Sequence, residues 1–324
     1  MAAHTHTIYA VLVAAFIGAV TVVPRASGGS AGILESVTAI ALERAADTAS
    51  IATRGEGDRH VVFIPGLGQP PASYEALIAS VAQTHTVHVV TMPRSPGDAG
   101  DALKNTANQI AAHLKDNGIQ RATAAGHSMG GTLAIMLAIA HPQQIEAVVS
   151  IDGPPAYPVP ELDPTASPRE RLNYVDTAVA PGVRAVPDEA WMSLWTTQIE
   201  QVVPGLRGET LAKAFSASRP DAIRNLFLEL MRLDLRPALA DVTVPIFVAA
   251  PEAPRSSGND AASQKERWDR ALRDAESATV QYFSDTDHFL HEDHLEAIAA
   301  MIRQAATPAP APARPNSPGT GGRP

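Results

Sequence analysis

Short apolar runs alternate along most of the chain with segments whose apolar residues recur at helical spacing. Runs of this kind are typical of strands that are buried on both faces, and the spaced segments are typical of amphipathic helices. The pattern predicts strands at 60–64, 86–92, 121–125, 145–151, 244–250 and 278–283. It predicts helices at 74–83, 101–117, 132–140 and 292–304. Strands separated by helices indicate an α/β fold, with a mostly parallel central sheet and helices on both faces.

The alternation breaks at about residues 153–241, where clustered prolines precede helical segments with aromatic side chains. We interpret this segment as a helical cap inserted over one end of the sheet, and additional helices on the flank of the sheet are the alternative. Trp191, Met192 and Trp195 are spaced to share a helix face. They would form either an apolar acyl pocket or, as we slightly favour, the core of the cap.

Both ends of the chain differ from the body at 32–306. Residues 8–23 are almost entirely apolar and are followed by small residues. This run is shorter than the roughly 20 residues of a comfortable membrane span and is typical of a secretory signal. It predicts a signal peptide over 1–31 and a secreted or periplasmic protein; a retained anchor, with membrane contact only in that case, is the alternative. The Pro-, Ala- and Gly-rich segment 307–324 predicts a disordered tail.

Composition excludes several classes of function. The net charge of −9 and the acidic pI of about 5.6 argue against a nucleic-acid partner. The chain has no cysteine, which excludes disulfides, thiolate metal sites and a cysteine nucleophile.

The sequence Gly-His-Ser-Met-Gly-Gly at 126–131 lies between a predicted strand and an apolar helix. Gly-x-Ser-x-Gly is common by chance, and it acquires chemical meaning in this strand–turn–helix context. The glycines permit a sharp turn that raises the Ser128 hydroxyl above the sheet and directs a helix N-terminus at it. A glycine-rich helix start with a capping serine is the alternative interpretation.

Two further segments agree with a serine nucleophile. His288 follows the last predicted strand, and a neutral imidazole is the base that a serine hydroxyl requires. Pro-Gly-Leu-Gly at 65–68 follows the first strand of the body. The backbone N–H groups of Leu67 and of Met129, directly after Ser128, are candidate donors to a tetrahedral oxyanion.

Three motifs follow predicted strands in a fixed order: Pro-Gly-Leu-Gly, Gly-His-Ser-Met-Gly-Gly and Asp-His-Phe. In this order of motifs, the sequence resembles the α/β-hydrolase superfamily over about residues 60–304. The resemblance implies Ser128 as nucleophile, His288 as general base, and Leu67 and Met129 as oxyanion donors. Pro65 stands where the family usually has a histidine before the first glycine.

The third member of the triad is ambiguous. The resemblance implies an acid after the next-to-last strand, near Pro254, but Glu252 comes two residues early and Asp260 lies beyond. Some members of the superfamily take the acid from the strand after the nucleophile helix, which here ends at Asp152. We favour Asp152, with Glu252 and Asp260 as the alternatives.

The sequence does not predict a metal site. His288, His291 and His294 recur every three residues, a spacing that drifts around a helix, and His-Glu-Asp-His is not the zinc motif His-Glu-x-x-His. We interpret this stretch as the solvated start of a helix with one functional histidine.

These observations predict an exported serine hydrolase that cleaves small-molecule carboxylic esters through an acyl-enzyme and needs no cofactor. The same triad would serve lactone, thioester or amide hydrolysis, or cofactor-free perhydrolysis. A ligand-binding protein that has kept the fold without turnover is the third alternative.

Overall fold

The computed structural model describes residues 48–93, 100–159, 161–254 and 260–306. The predicted signal segment and C-terminal tail lie outside these residues. Within the described ranges, no helix combines the length and the apolar character needed to cross a bilayer.

A seven-stranded sheet forms the centre of the molecule. Its strands are β1 (Ser50–Arg54), β2 (His60–Ile64), β3 (Thr86–Thr91), β4 (Ala122–His127), β5 (Ile145–Ile151), β6 (Ile246–Pro251) and β7 (Ala278–Phe283). The spatial order is β1-β3-β2-β4-β5-β6-β7. Strand β1 pairs antiparallel with β3, and the other neighbours pair in parallel. The predicted α/β fold is confirmed.

Helices cover both faces of the sheet. They are α1 (Glu75–Ala82), α2 (Ala102–Asp116), α3 (Met129–Ala140), α4 (Pro168–Tyr174), α5 (Ala180–Ala185), α6 (Asp188–Val202), α7 (Leu206–Ser216), α8 (Pro220–Arg232), α9 (Ala261–Ala271), α10 (Leu290–Asp293) and α11 (Leu295–Ala305). Alternate residues of β2 show how the two cores divide: Val62 and Ile64 pack with α2 and α3, whereas Val61 and Phe63 pack with α1 and α11.

The segment between β5 and β6 folds into helices α4 to α8, joined in part by a π-helical turn at Val175–Val179. Its aromatic residues pack on one another: Trp195 stacks on Phe215 at 5.6 Å, and Trp191 meets Phe227 edge-on at 5.4 Å between ring centroids. Trp191 and Trp195 are buried, so both belong to the core of this segment.

Two elements carry no clear signal in the sequence. Strand β1 is largely exposed and lies at the sheet edge, so it lacks the apolar run that marks the central strands. Helix α9 is strongly charged and buries only Gln264 and Trp268. Helix α3 begins at Met129, three residues before the predicted start, and this places the helix N-terminus directly after Ser128.

Candidate active site

Ser128 occupies a sharp turn between β4 and α3. Its backbone has φ 56° and ψ −122°, a conformation that is costly for a residue with a side chain. The surrounding structure holds the turn: the Ser128 N–H donates to the Ile151 carbonyl at 2.8 Å, and the Gly131 N–H donates to the Ser128 carbonyl at 2.9 Å. The hydroxyl therefore sits where the motif predicts, at the carboxyl end of a central strand.

Glycine is required in this turn because the backbones approach too closely for a side chain. A Cβ placed on Gly130 would lie 2.1 Å from the Ile64 carbonyl oxygen, and one on Gly126 would lie 2.4 Å from the backbone of Gly130. The two glycines thus let the nucleophile turn pack against the end of β2.

Asp152 and His288 form a buried pair. Nδ1 of His288 lies 2.6 Å from Oδ2 of Asp152, and the two residues are 4% and 6% exposed. Asp152 follows β5, the neighbour of β4, so its carboxylate and the Ser128 turn lie at the same edge of the sheet. The other carboxylate oxygen, Oδ1, is buried and has no partner among the described residues. Among the described residues, the His288 imidazole is therefore the only hydrogen-bond partner of the Asp152 carboxylate.

The structure does not bring the two alternative acids to His288. Glu252 is exposed directly after β6. Asp260 is also exposed and caps α9, where its Oδ1 accepts a hydrogen bond from the Ser263 N–H at 2.8 Å.

A small cavity of about 20 Å³ brings Ser128, His288 and Leu67 together under Trp195. This volume accommodates about one water molecule. The Ser128 hydroxyl lies 3.5 Å from the hydroxyl of Tyr157, and no hydrogen bond joins Ser128 to His288 in the part of the chain that the structure describes. Catalytic hydrogen bonds are often long before substrate binds, so this arrangement is compatible with a resting site.

The two candidate oxyanion donors are available. No hydrogen bond among the described residues uses the Leu67 N–H, although the neighbouring Gly66 N–H donates to the Tyr74 hydroxyl at 3.0 Å. Met129 is the first residue of α3, and the first N–H groups of a helix have no partner within it.

Tyr74 and His127 connect the three loops of the site, a role for which the sequence carries no local signal. Nε2 of His127 donates to the His288 carbonyl at 2.9 Å, because a carbonyl only accepts. Nδ1 of His127 then accepts from the Tyr74 hydroxyl at 2.9 Å. Burial lowers the pKa of His127 and raises the pKa of Tyr74, so both side chains are neutral. These hydrogen bonds, which we call the Tyr74–His127 relay, join the loop at Gly66, the turn at Ser128 and the loop at His288.

The three histidines after β7 have separate environments. His288 bonds Asp152, His291 stacks on Tyr74 with ring centroids 4.8 Å apart, and His294 donates through Nε2 to the Ser284 carbonyl at 2.9 Å. Burial lowers the pKa of His291 to about 3. His291 is buried rather than solvated as the sequence suggested. Within the described residues, no group of three or more acidic or histidine side chains is arranged to hold a metal.

The chain is similar to known proteins in both sequence and structure. The model of an alpha/beta hydrolase family matches residues 61–301. The pimeloyl-[acyl-carrier protein] methyl ester esterase of Salmonella heidelberg is 28% identical over 202 residues, covering 60% of this chain and 75% of that enzyme.

Among solved structures, MenH from Staphylococcus aureus superposes with a TM-score of 0.63 at 17% identity, covering 80% of this chain and 97% of that one. The enol-lactonase from Burkholderia xenovorans superposes with a TM-score of 0.56 at 17% identity, covering 79% of this chain and 95% of that one. These likenesses show the same fold.

Proposed function

Because this chain belongs to the alpha/beta hydrolase family, we propose that it is a serine esterase that cleaves carboxylic esters through an acyl-enzyme. Ser128 is the nucleophile, His288 the general base and Asp152 the acid. The single observation that carries the proposal is the 2.6 Å contact between Nδ1 of His288 and Oδ2 of Asp152, at the sheet edge that also presents Ser128. The relative that cleaves a methyl ester supports the choice of ester as the bond broken.

Asp152 fixes the tautomer of His288. A carboxylate oxygen only accepts hydrogen bonds, so the proton of the neutral imidazole resides on Nδ1 and Nε2 carries a lone pair. Nε2 removes the proton of the Ser128 hydroxyl as Oγ attacks the ester carbonyl. The buried carboxylate then stabilises the imidazolium that forms.

The backbone N–H groups of Leu67 and Met129 receive the negative charge of the tetrahedral intermediate. Donors fixed in a water-poor site stabilise this charge without reorganising during the reaction. His288 next donates its proton to the leaving alcohol, and the acyl group remains on Ser128. Water, deprotonated by His288, attacks the acyl-enzyme and releases the acid.

Labelling with an active-site-directed fluorophosphonate tests the proposal. The wild-type protein is expected to become labelled at Ser128, located by mass spectrometry of the digest, and Ser128→Ala is expected to remain unlabelled. Ser193→Ala, at an exposed serine of α6, is the matched control and should be labelled like the wild type. Labelling of Ser128→Ala at the wild-type rate, or no labelling of either protein, would overturn the proposal.

A substrate panel separates esters from the other acyl compounds. With one activated ester, one lactone, one thioester and one anilide of similar acyl size, we expect the largest kcat/KM for the ester. A larger kcat/KM for the lactone would assign the site to lactone hydrolysis instead. Perhydrolysis is assayed with acetate, hydrogen peroxide and bromide: the peracetic acid formed oxidises bromide, and the resulting hypobromous acid brominates monochlorodimedone.

We also propose that the protein is exported, on the apolar segment 8–23 alone. Expression in a bacterial host followed by intact-mass measurement of the periplasmic protein tests this. A mass that lacks about the first 31 residues is expected, because small residues end the segment there. Recovery of the uncleaved chain in the membrane fraction would favour the anchor.

A further inference from the structure

A second cavity, of about 140 Å³, lies between the chain that follows β5 and helix α9. Apolar side chains form much of its wall. Four arginines also line it: Arg171, Arg236, Arg267 and Arg270. We call this space the arginine cavity. Its volume is about seven times that of the cavity at Ser128, so a chain of several carbon atoms fits here and not beside the nucleophile.

Two of the four arginines have carboxylate partners. Arg236 pairs with Asp234 at 2.6 Å, and Arg270 pairs with Glu266 at 2.5 Å. In the described ranges, neither Arg171 nor Arg267 has an ion-pair partner. The guanidinium groups of Arg171 and Arg267 can therefore form ion pairs with a bound anion.

Arg171 is a buried cation. It is 5% exposed, and its Nε and Nη2 donate to the carbonyls of Met231 and Tyr157 at 2.8 and 2.5 Å. Its Nη1 has no partner among the described residues. Burial lowers the pKa of Arg171 to about 10, so the group remains charged at neutral pH. Asp234, the partner of Arg236, offsets part of this charge without bonding Arg171 directly. An anion in the arginine cavity would neutralise the remaining buried charge.

Arg267 presents a largely free guanidinium group. Its one hydrogen bond within the described residues, from Nη1 to Oε1 of Gln264, is 3.4 Å long, and its guanidinium carbon lies 5.8 Å from the centre of the Trp268 ring. Such a fork binds a carboxylate through two parallel N–H···O bonds.

The charges around the arginine cavity favour a singly charged ligand. Asp163 also lines it, but this residue is exposed and its Oδ1 already accepts from Thr165. Two unpaired guanidinium groups and one aspartate leave a surplus of one positive charge. A carboxylate balances that surplus, whereas a doubly charged phosphate exceeds it.

Tyr157 connects the arginine cavity to the nucleophile. It lines this cavity, and its hydroxyl reaches to 3.5 Å from the Ser128 Oγ. Burial raises the pKa of Tyr157, so its hydroxyl carries no charge that would repel an anion. The Tyr157 side chain thus reaches from the arginine cavity to Ser128.

We propose that the arginine cavity binds an ionised carboxylate carried by the ester substrate itself, with Arg171 and Arg267 as its ligands and Tyr157 displaced on binding. The proposal rests on the proposed esterase function and names its substrate class as carboxylate-bearing esters. The carboxylate belongs either to the acyl part or to the alcohol part of the ester, and the experiment distinguishes these two sources.

The test compares three esters of similar size. Mono-4-nitrophenyl adipate carries the carboxylate on the acyl part, 4-carboxyphenyl hexanoate carries it on the alcohol part, and 4-nitrophenyl hexanoate is neutral. For the wild type, with spontaneous hydrolysis subtracted, we expect a larger kcat/KM for one charged ester than for the neutral one. Arg267→Gln should reduce the kcat/KM for the preferred charged ester about tenfold, because one charge-assisted hydrogen bond is lost. The reduction should come mainly from a higher KM. The kcat/KM for the neutral ester should fall much less than that for the charged ester.

Arg273→Gln is the matched control, since Arg273 is exposed, follows α9 and does not line the arginine cavity. This variant makes the same change of net charge, and it should keep the larger kcat/KM of the wild type for the charged ester. An equal kcat/KM for charged and neutral esters in the wild type would overturn the proposal. So would an equal loss for both esters in Arg267→Gln.

Binding without turnover separates this proposal from the proposed function. Monomethyl adipate titrated calorimetrically into Ser128→Ala should bind, and adding Arg267→Gln should weaken Kd about tenfold. If the binding and its dependence on Arg267 are found but no ester is hydrolysed by the wild type, the esterase function fails while the carboxylate site stands. If esters are hydrolysed and monomethyl adipate does not bind, the carboxylate site fails alone.

Discussion

Nδ1 of His288 lies 2.6 Å from Oδ2 of Asp152, the residue that directly follows β5. The carboxylate that bonds His288 thus follows the strand after helix α3, and no acid in the described part of the loop after β6 bonds His288. The backbone of Asp152 is held in place by β6. The Asp152 N–H donates to the Ala249 carbonyl at 2.8 Å, and this hydrogen bond ties the start of the loop after β5 to β6.

Asp152→Asn should lower kcat about 10⁴-fold, because an amide can donate to Nδ1 and thereby favour the wrong tautomer of His288. The measurement is steady-state hydrolysis of an activated ester. Glu252→Gln is the control at an exposed carboxylate and should retain wild-type kcat. A large loss in Glu252→Gln together with an active Asp152→Asn would transfer the acid role to Glu252.

Asp260→Asn tests the third acid considered from the sequence. Because Asp260 caps α9 and asparagine is also a good cap, both kcat and stability should stay close to those of the wild type. Asp260→Ala should be less stable to unfolding than Asp260→Asn, because alanine cannot cap the helix, with kcat unchanged. A fall in kcat for Asp260→Asn would contradict the structural role.

Tyr74→Phe should weaken the connection among the three loops of the site. It leaves the Gly66 N–H and Nδ1 of His127 without their partner, and unpaired buried groups cost about 1–3 kcal/mol of unfolding free energy. Because Tyr74 acts through these loops, kcat and the rate of fluorophosphonate labelling should fall together while KM changes little.

Tyr282→Phe is the control for the removal of a tyrosine hydroxyl. The Tyr282 hydroxyl has no hydrogen-bond partner in the described part of the chain, so its loss should leave stability and kcat unchanged or slightly raise stability. A Tyr74→Phe protein as stable and as active as Tyr282→Phe would show that the relay does not position the site.

The fold and the turn at Ser128 are predictable from the sequence because their signals are local. Buried strands correspond to apolar runs in the sequence, and the turn at Ser128 needs glycines within two residues on each side. The sequence order of the elements was therefore enough to place Ser128 and His288 after their strands.

The partners of these residues were not predictable in the same way. Whether Asp152 or Glu252 reaches His288 depends on how two loops run, and the sequence carries no local pattern for that. Tyr74, Tyr157 and Arg171 act through contacts with residues far along the chain. A buried polar side chain looks the same in sequence as an exposed one, so their roles emerge only from the tertiary structure.

Gly130→Ala should abolish folding of the nucleophile turn. Its Cβ would lie 2.1 Å from the Ile64 carbonyl oxygen, and neither backbone can move away without separating α3 from β2. We expect a loss of more than about 4 kcal/mol in unfolding free energy, the range of the most damaging core substitutions, measured by thermal and urea unfolding.

Gly118→Ala is the control for glycine removal, because no atom lies within 4 Å of the added Cβ and only its φ of +70° is unfavourable. A left-handed alanine costs roughly 1–2 kcal/mol, so this variant should fold and remain active. Equal losses in the two variants would mean that close packing is not the reason for glycine at 130.

Acid should destabilise the protein through His88. This residue lies on β3, and its ring is bonded on both sides: Nε2 lies 3.1 Å from Nδ1 of His60, and Nδ1 lies 3.0 Å from Nε2 of His113. Burial, together with the charge that either neighbour would carry when protonated, lowers the pKa of His88 from 6.5 to about 4.

The depressed pKa means that the unfolded chain takes up a proton at a pH where the folded protein does not. The contribution of His88 to stability is therefore fully present above pH 6.5 and is lost as the pH falls from 6.5 toward 4. Each such proton lowers the unfolding free energy by about 1.4 kcal/mol per pH unit within that window. His291, whose pKa is lowered to about 3, also reduces the unfolding free energy as the pH falls, and its effect extends further toward acidic pH than that of His88.

Urea unfolding at pH 7, 6 and 5 measures this loss. His88→Gln removes the titrating group while keeping a hydrogen-bonding side chain, so the slope of unfolding free energy against pH should decrease by about one proton relative to the wild type. His141→Gln makes the same substitution at a partly exposed histidine that hydrogen-bonds Asn108, and it serves as the control. An identical slope in the wild type and in His88→Gln would mean that His88 takes up its proton equally in the folded and unfolded states, and that the bonds to His60 and His113 do not hold it neutral.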